Sequence, residues 1–202
     1  MHSPTTFDAK FATDPDPWGF ATRWYEKRKR DLTLAALPRA RYRSAYEPGC
    51  ANGVLSAALA ERCDRLLVSD GSPRAVELAR QRLSTRPNVS VCEAWLPQGW
   101  PASHGPGTFD LIVLSELGYF LSPPELAQVL AQAQRSLADD GTLIACHWRR
   151  QPRDCVWNGD DVHRTMHEAL TLPHLACWVD ADFRLDVWSG EAGSVAGREG
   201  LS

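Results

Sequence analysis

Short apolar runs alternate with helix-patterned segments from residue 44 to residue 147, and this alternation confines the chain to a layered α/β architecture. The runs predict strands at 44–48, 65–69, 89–93, 109–114 and 142–147. Helical periodicity fills the intervals at about 53–62, 73–84 and 123–138. Two of these helices carry start signals. Ser72-Pro73 sets a capping hydroxyl before a proline at the first helical position, where the missing N–H has no partner to lose. Ser122-Pro123-Pro124-Glu125 has the spacing of a capping box, and Asp140-Gly141 reads as the stop of that helix. A helix near 160–171 follows, then two strand-like runs, His174–Val179 and Phe183–Ser189, joined by the turn Asp180-Ala181-Asp182. The fold implied is a doubly wound, Rossmann-like sheet, mostly parallel, with an antiparallel C-terminal hairpin.

Ahead of the sheet, residues 1–17 show little periodicity and read as a loose arm. From 22 to 37 a helix is patterned by Trp24, Tyr25, Leu32, Leu34 and Leu37, and Pro38 ends it. Its run Lys27-Arg28-Lys29-Arg30 reads mainly as a solvated face. The organisation expected is one domain, with an N-terminal arm and helical lid over 1–38 and the sheet over 39–202.

Composition narrows the function classes. A chain of 202 residues with net charge -3 lacks the basic footprint of a nucleic-acid partner. No apolar run reaches the roughly 18 residues a membrane helix needs. The first ten residues show no basic-then-apolar leader, and the six scattered cysteines form no C-x-x-C pair. These features predict a cytoplasmic protein without a disulfide framework. The cysteines read as small buried hydrophobes, and Trp157, Trp178 and Trp188 as core or hairpin packing.

The densest chemical signal is Glu47-Pro48-Gly49-Cys50-Ala51-Asn52-Gly53, between the first strand and the next helix. Glycines there let the backbone turn sharply and lie close to a ligand. No lysine follows Gly53, which excludes a P-loop, and the spacing is not G-x-G-x-x-G. Asp70 ends the second strand 17 residues after Gly53, where an acid can accept both hydroxyls of a ribose. Gly71 and Ser72 follow it. Asp70 also reads, more plainly, as a cap for the helix at Ser72-Pro73. The third strand ends at Glu93-Ala94-Trp95, an acceptor beside an apolar face suited to adenine, and the fourth at Ser115-Glu116.

These motifs resemble those of class I S-adenosylmethionine (SAM)-dependent methyltransferases. Glu47-x-Gly49-x-x-x-Gly53 is similar to the family's first motif, Asp70 to its ribose acid, and Phe109-Asp110-Leu111-Ile112-Val113 to its fourth strand. Asp16-Pro17-Trp18, Tyr25-Glu26, Ser115-Glu116-x-x-Tyr119-Phe120-Leu121, His147-Trp148-Arg149 and Asp161-Val162-His163 extend the likeness to the nodulation-protein-S-like members, over about residues 14–190. The resemblance implies SAM as cofactor, S-adenosylhomocysteine as product, and an N-terminal helix that lids the cofactor with Trp18, Tyr25 and Lys29 facing it. Tyr25 and Lys29, four apart, share one helix face. Lys29 would pair with the methionine carboxylate, at a position where the nodulation enzymes carry arginine, and the two side chains are not equivalent at a bidentate contact.

The cofactor set read in this way is Trp18, Tyr25, Lys29, Glu47, Gly49, Cys50, Gly53, Asp70, Gly71, Ser72, Glu93, Ala94, Trp95 and Ser115. Glu116, Tyr119 and His147 are the catalytic candidates: an amine acceptor must arrive neutral, and a base within hydrogen-bond reach serves that end. The expected acceptor is a small molecule, with an amino sugar as first choice. A non-catalytic SAM-binding module and O-methylation stay open. A nicotinamide oxidoreductase would need a G-x-G-x-x-G or comparable loop, which is missing. His163 and His167 lie one helical turn apart without the glutamate of H-E-x-x-H, so no metal site is expected.

Overall fold

The computed structural model describes residues 4–101, 105–153, 155, 157–191 and 193–201. Two helices, α1 (Pro4–Thr13) and α2 (Trp24–Ala35), precede β1 (Ala45–Pro48). Then follow α3 (Val54–Leu59), β2 (Leu66–Asp70), α4 (Pro73–Arg82), β3 (Val89–Glu93), β4 (Phe109–Ser115) and α5 (Pro123–Ser136). The chain continues through β5 (Leu137–Trp148), α6 (Gly159–Ala169), β6 (His174–Val179), β7 (Phe183–Ser189) and the short α7 (Val195–Arg198). The seven strands form one sheet in the order β3-β2-β1-β4-β5-β7-β6. β1 to β5 run parallel, and β7 lies antiparallel to both β5 and β6.

Alternation along the central strands explains the layering. Leu111 and Val113 join one buried cluster with Leu59, Ala79 and Leu83, whereas Ile112 and Leu114 join the other with Leu126, Leu130 and Met166. Helices therefore cover both faces, as a buried parallel sheet requires. The capping signals act as their chemistry suggests. Ser72 Oγ accepts from the Ala75 N–H, and the Glu125 carboxylate accepts from both the backbone N–H and the hydroxyl of Ser122.

The structure corrects several expectations. The arm read as loose contains α1. Asp8 anchors that helix: its Oδ1 accepts from Ser72 Oγ and from the Arg74 N–H, each at 2.8 Å, at the N-terminus of α4. The Asp140-Gly141 stop does not hold either, because α5 ends at Ser136 and Leu137 is already extended with ψ 139°. A register shift in the β4–β5 pairing, from Phe109↔Leu137 to Leu111↔Thr142, absorbs the residues between. In the basic run only Lys27 is exposed. Arg28 bonds Asp180 at 2.6 Å, Arg30 donates to the Phe20 carbonyl, and Lys29 is buried. Trp188 is buried, but Trp178 on the edge strand is 44% exposed. Cys177 is exposed, and the described cysteines carry free thiols.

Candidate active site

The strand order reverses between β1 and β4, and a crevice opens there at the carboxyl ends of both. The loop leaving β1 is a tight left-handed turn, with φ of 71° at Gly49, 50° at Ala51 and 76° at Gly53. Asp70 at the end of β2 holds this loop: its Oδ2 accepts from the Ala51 N–H and its Oδ1 from the Ser72 N–H, each at 2.9 Å. Burial raises the Asp70 carboxyl pKa, and those two backbone donors oppose the shift. Gly71 is required for a different reason. A Cβ there would stand 2.1 Å from Cε3 of Trp95, so the indole packs directly on the bare backbone.

Between these walls lies a cleft of about 460 Å³, within the range of small-molecule sites. Its floor includes Gly49, Asp70, Gly71, Ala94 and Trp95, and its far wall Glu116, Tyr119, Leu121 and Trp148. The N-terminal segment supplies a roof of aromatic rings. Phe7 lies 6.5 Å from Trp18, 6.2 Å from Trp95 and 5.0 Å from Phe120, and Phe11 lies 5.4 Å from Trp18. The segment is tied to the β1 loop through Asn52 Nδ2, which donates to the Pro15 carbonyl and to Asp16 Oδ1. Phe7, Phe11 and Asp8 were not singled out from sequence, whereas Asp16 belongs to the Asp16-Pro17-Trp18 motif. The Phe7/Phe11 pair at helical spacing was the available signal.

At the inner end of the cleft sits a charge cluster. Lys29 Nζ lies 2.6 Å from Glu116 Oε1, 3.0 Å from Glu26 Oε2 and 5.0 Å from the Tyr25 ring centroid. Burial works against the ammonium, but Glu116 and Glu26 outweigh it and hold Lys29 protonated. Glu116 has φ of 54°, left-handed for a residue with a side chain, a geometry the surroundings must impose. Its backbone N–H donates to the Cys146 carbonyl, while Oε2 accepts from the Tyr119 hydroxyl and from the Trp148 N–H.

An adjoining recess reaches Glu47, Cys50 and Ser115. Glu47 is 3% exposed, and its Oε2 has no hydrogen-bond partner among the described residues. Burial, with Asp70 adding repulsion, pushes its carboxyl up to about 8. The remaining expected residues lie off both spaces. Gly53 caps α3, Ser72 caps α4, and Glu93 is exposed at the end of β3.

His147 stands behind the wall, fully buried. Its Nε2 accepts from the Gly118 N–H at 3.0 Å, and its Nδ1 meets His163 Nε2 at 3.0 Å. His163 Nδ1 lies 2.6 Å from Asp186 Oδ2. A backbone N–H can only donate, so the direction of the whole chain is fixed: His147 donates to His163, and His163 to Asp186. Burial keeps both imidazoles neutral, with pKa below the usual range. His147 thus supports the backbone carrying Tyr119, without lining the cleft.

A methyltransferase-domain family model matches residues 45–141. The chain is 52% identical to a Pseudomonas syringae protein described as a methyltransferase, whose crystal structure superposes with a TM-score of 0.73, over 83% of this chain and 99% of that one. The chain belongs to the SAM-dependent methyltransferases. It is also similar to nodulation protein S of Rhizobium tropici, 31% identical over 64% of this chain and 53% of that protein. The Bradyrhizobium diazoefficiens protein of the same name is 33% identical over 64% and 61%. The matches thus span little more than half the length of these curated relatives. The N-methyltransferase NodS from Bradyrhizobium japonicum WM9, solved with S-adenosylhomocysteine, shares the fold at 24% identity and a TM-score of 0.80, over 92% of this chain and 96% of that one.

The residues present fit the cofactor of this methyltransferase family. A buried carboxyl with an unpartnered oxygen, Glu47, lies ready for an ammonium. Asp70 faces the cleft beside a flat indole packed on Gly71, which suits a ribose and an adenine. Lys29 supplies a protonated ammonium for a carboxylate.

Proposed function

We propose that the protein transfers a methyl group from SAM to the amine nitrogen of a small-molecule acceptor, with an amino sugar as first choice. The observation that carries this reading is Glu116, held in a left-handed conformation at the end of β4 with its carboxylate in the cleft wall. SAM supplies the electrophilic methyl group. Asp70 would hold the ribose hydroxyls, Trp95 and Ala94 the adenine, Glu47 the ammonium and Lys29 the carboxylate of the methionine end. As Lys29 turns to that carboxylate, Glu116 becomes available to accept an N–H of the acceptor and to take its proton. Tyr119, donating to Glu116, orients that carboxylate. The aromatic roof of Phe7, Trp18 and Phe120 offers apolar faces to a sugar ring, and holding acceptor and methyl donor in line lowers the barrier.

The N-methyl assignment is supported by the name of the B. japonicum relative and by the Glu116 carboxylate in the cleft wall. Free thiols are compatible with the cytoplasm as the compartment proposed. Among the described residues, no helix is long and apolar enough to cross a membrane.

Calorimetric titration with S-adenosylhomocysteine, on wild type and Asp70→Ala, tests the cofactor. Saturable binding lost in the variant is expected, and absence of binding to wild type overturns the proposal. A panel of amino sugars paired with their hydroxyl counterparts then tests the acceptor. Transfer to the hydroxyl compounds alone would replace N-methylation by O-methylation.

A further inference from the structure

We propose that His167, His174 and Asp186 form a binding site for one divalent transition-metal ion of the zinc class, at the β6–β7 edge of the sheet. No local motif brings these residues together, since they come from α6, β6 and β7. The β6–β7 register sets Cys177 opposite Asp186 and His174 opposite Trp188. Residues 174 and 177 are an odd number apart and would ordinarily face opposite sides. The register shift between His174 and Ala176 is a bulge that returns them to one face. His167, one helical turn beyond the buried His163, points to that same face from α6.

The donor atoms converge. Asp186 Oδ1 lies 2.7 Å from His174 Nε2 and 3.3 Å from His167 Nε2, and the three atoms lie within 4.8 Å of one another. A four-coordinate zinc with bonds of about 2.0–2.2 Å sets its ligands roughly 3.3–3.5 Å apart. Closing onto an ion therefore asks the Asp186–His174 contact to open by about 0.6–0.8 Å, while the Asp186–His167 distance already matches. Ring orientation is already set, with Trp188 5.1 Å from the His167 ring, 5.5 Å from that of His174, and the imidazoles 4.6 Å from each other.

The second carboxylate oxygen is held as metal sites hold theirs: Oδ2 accepts from His163 Nδ1 and from Arg184 Nε, each at 2.6 Å. Both histidines are about one-third exposed, which leaves an entry path. Cys177, exposed and paired with Asp186 across the strands, adds a soft donor on the same face.

Two contacts work against an ion. His174 Nε2 donates a proton to Asp186 Oδ1, and a metal must displace that proton. Arg184 Nη2 lies 3.0 Å from His167 Nε2, where it takes the lone pair a metal needs. Binding must turn this guanidinium group outward, so metal and Arg184 compete, and removing Arg184 should tighten the site.

The test is zinc titration of tag-free protein by calorimetry and chelator competition, with the visible spectrum of cobalt(II) as a report of four-coordination. Wild type should take up one ion per chain. His174→Ala and His167→Ala should each weaken binding at least about tenfold, and Arg184→Met should strengthen it. Unchanged S-adenosylhomocysteine affinity and melting temperature show which variants are folded. No stoichiometric uptake by wild type, or wild-type affinity in both folded histidine variants, overturns the proposal and leaves the cluster as a charge network around Asp186.

Discussion

Lys29 Nζ lies 2.6 Å from Glu116 Oε1, with the lysine 7% and the glutamate 17% exposed, and this pair joins the N-terminal helix α2 to the carboxyl end of β4. Removing one partner of such a pair leaves an uncompensated charge, at a cost of about 3–5 kcal/mol. Lys29→Met should therefore lower the melting temperature and weaken S-adenosylhomocysteine binding. The double variant Lys29→Met/Glu116→Gln should recover part of the stability and none of the turnover. Thermal melts of the four proteins in the cycle measure the coupling, and strict additivity would show that the pair contributes nothing.

Glu47 predicts a pH dependence. Its carboxyl titrates near 8 in the folded protein against an ordinary value of 4.5, so the folded state holds the extra proton between those limits. Stability should fall as pH rises through that window, by at most about 1.4 kcal/mol per unit from this group. Glu47→Gln should flatten the slope. Binding of a cationic ammonium beside Glu47 should release a proton near pH 7. Calorimetry of S-adenosylhomocysteine in buffers of different ionisation enthalpy reads that release directly. Identical heats in all buffers would contradict it.

Gly71→Ala should cost affinity far more than stability. The new methyl stands within 2.1 Å of the Trp95 ring, which must leave its place in the cleft wall. S-adenosylhomocysteine affinity is expected to fall at least about tenfold, the equivalent of 1.4 kcal/mol, with a fluorescence change from the moved indole. Wild-type affinity in this variant would remove Trp95 from the binding surface.

His147→Ala should act through Gly118. The variant strips the acceptor from the Gly118 N–H and the donor from His163 Nε2, each loss costing about 1–3 kcal/mol. The expected result is reduced kcat with nearly unchanged S-adenosylhomocysteine affinity. His147→Gln, whose side-chain oxygen can accept from Gly118, should restore part of the rate. A glutamine variant as inactive as the alanine variant would point to imidazole chemistry instead of support.

The sheet and the glycine turn that follows β1 were legible because their signals are local. Gly49, Gly53 and Asp70 are placed by one strand–turn–helix unit each, and alternation along β4 decides its two faces within seven residues. The lid was half legible. Tyr25 and Lys29 share a helix face by spacing alone, but nothing short-range distinguishes Lys29 from Lys27, a buried ammonium from a solvated one. Only Glu26 and Glu116 around it make burial tolerable. α1 was missed because its stability comes from docking, through Asp8 on the start of α4 and the Phe7 contacts with Trp95 and Phe120.

By itself, the sequence determined the order of strands and helices, the glycine turn and the acid at the end of β2, since periodicity and backbone sterics act over a few residues. Tertiary structure decided which groups are buried and what they face. It placed His147 behind the wall instead of in it, left Glu47 with an unpartnered oxygen, and gathered His167, His174 and Asp186 across a strand bulge. Desolvation and hydrogen-bond partnership depend on atoms far apart in the chain, and no local pattern records them.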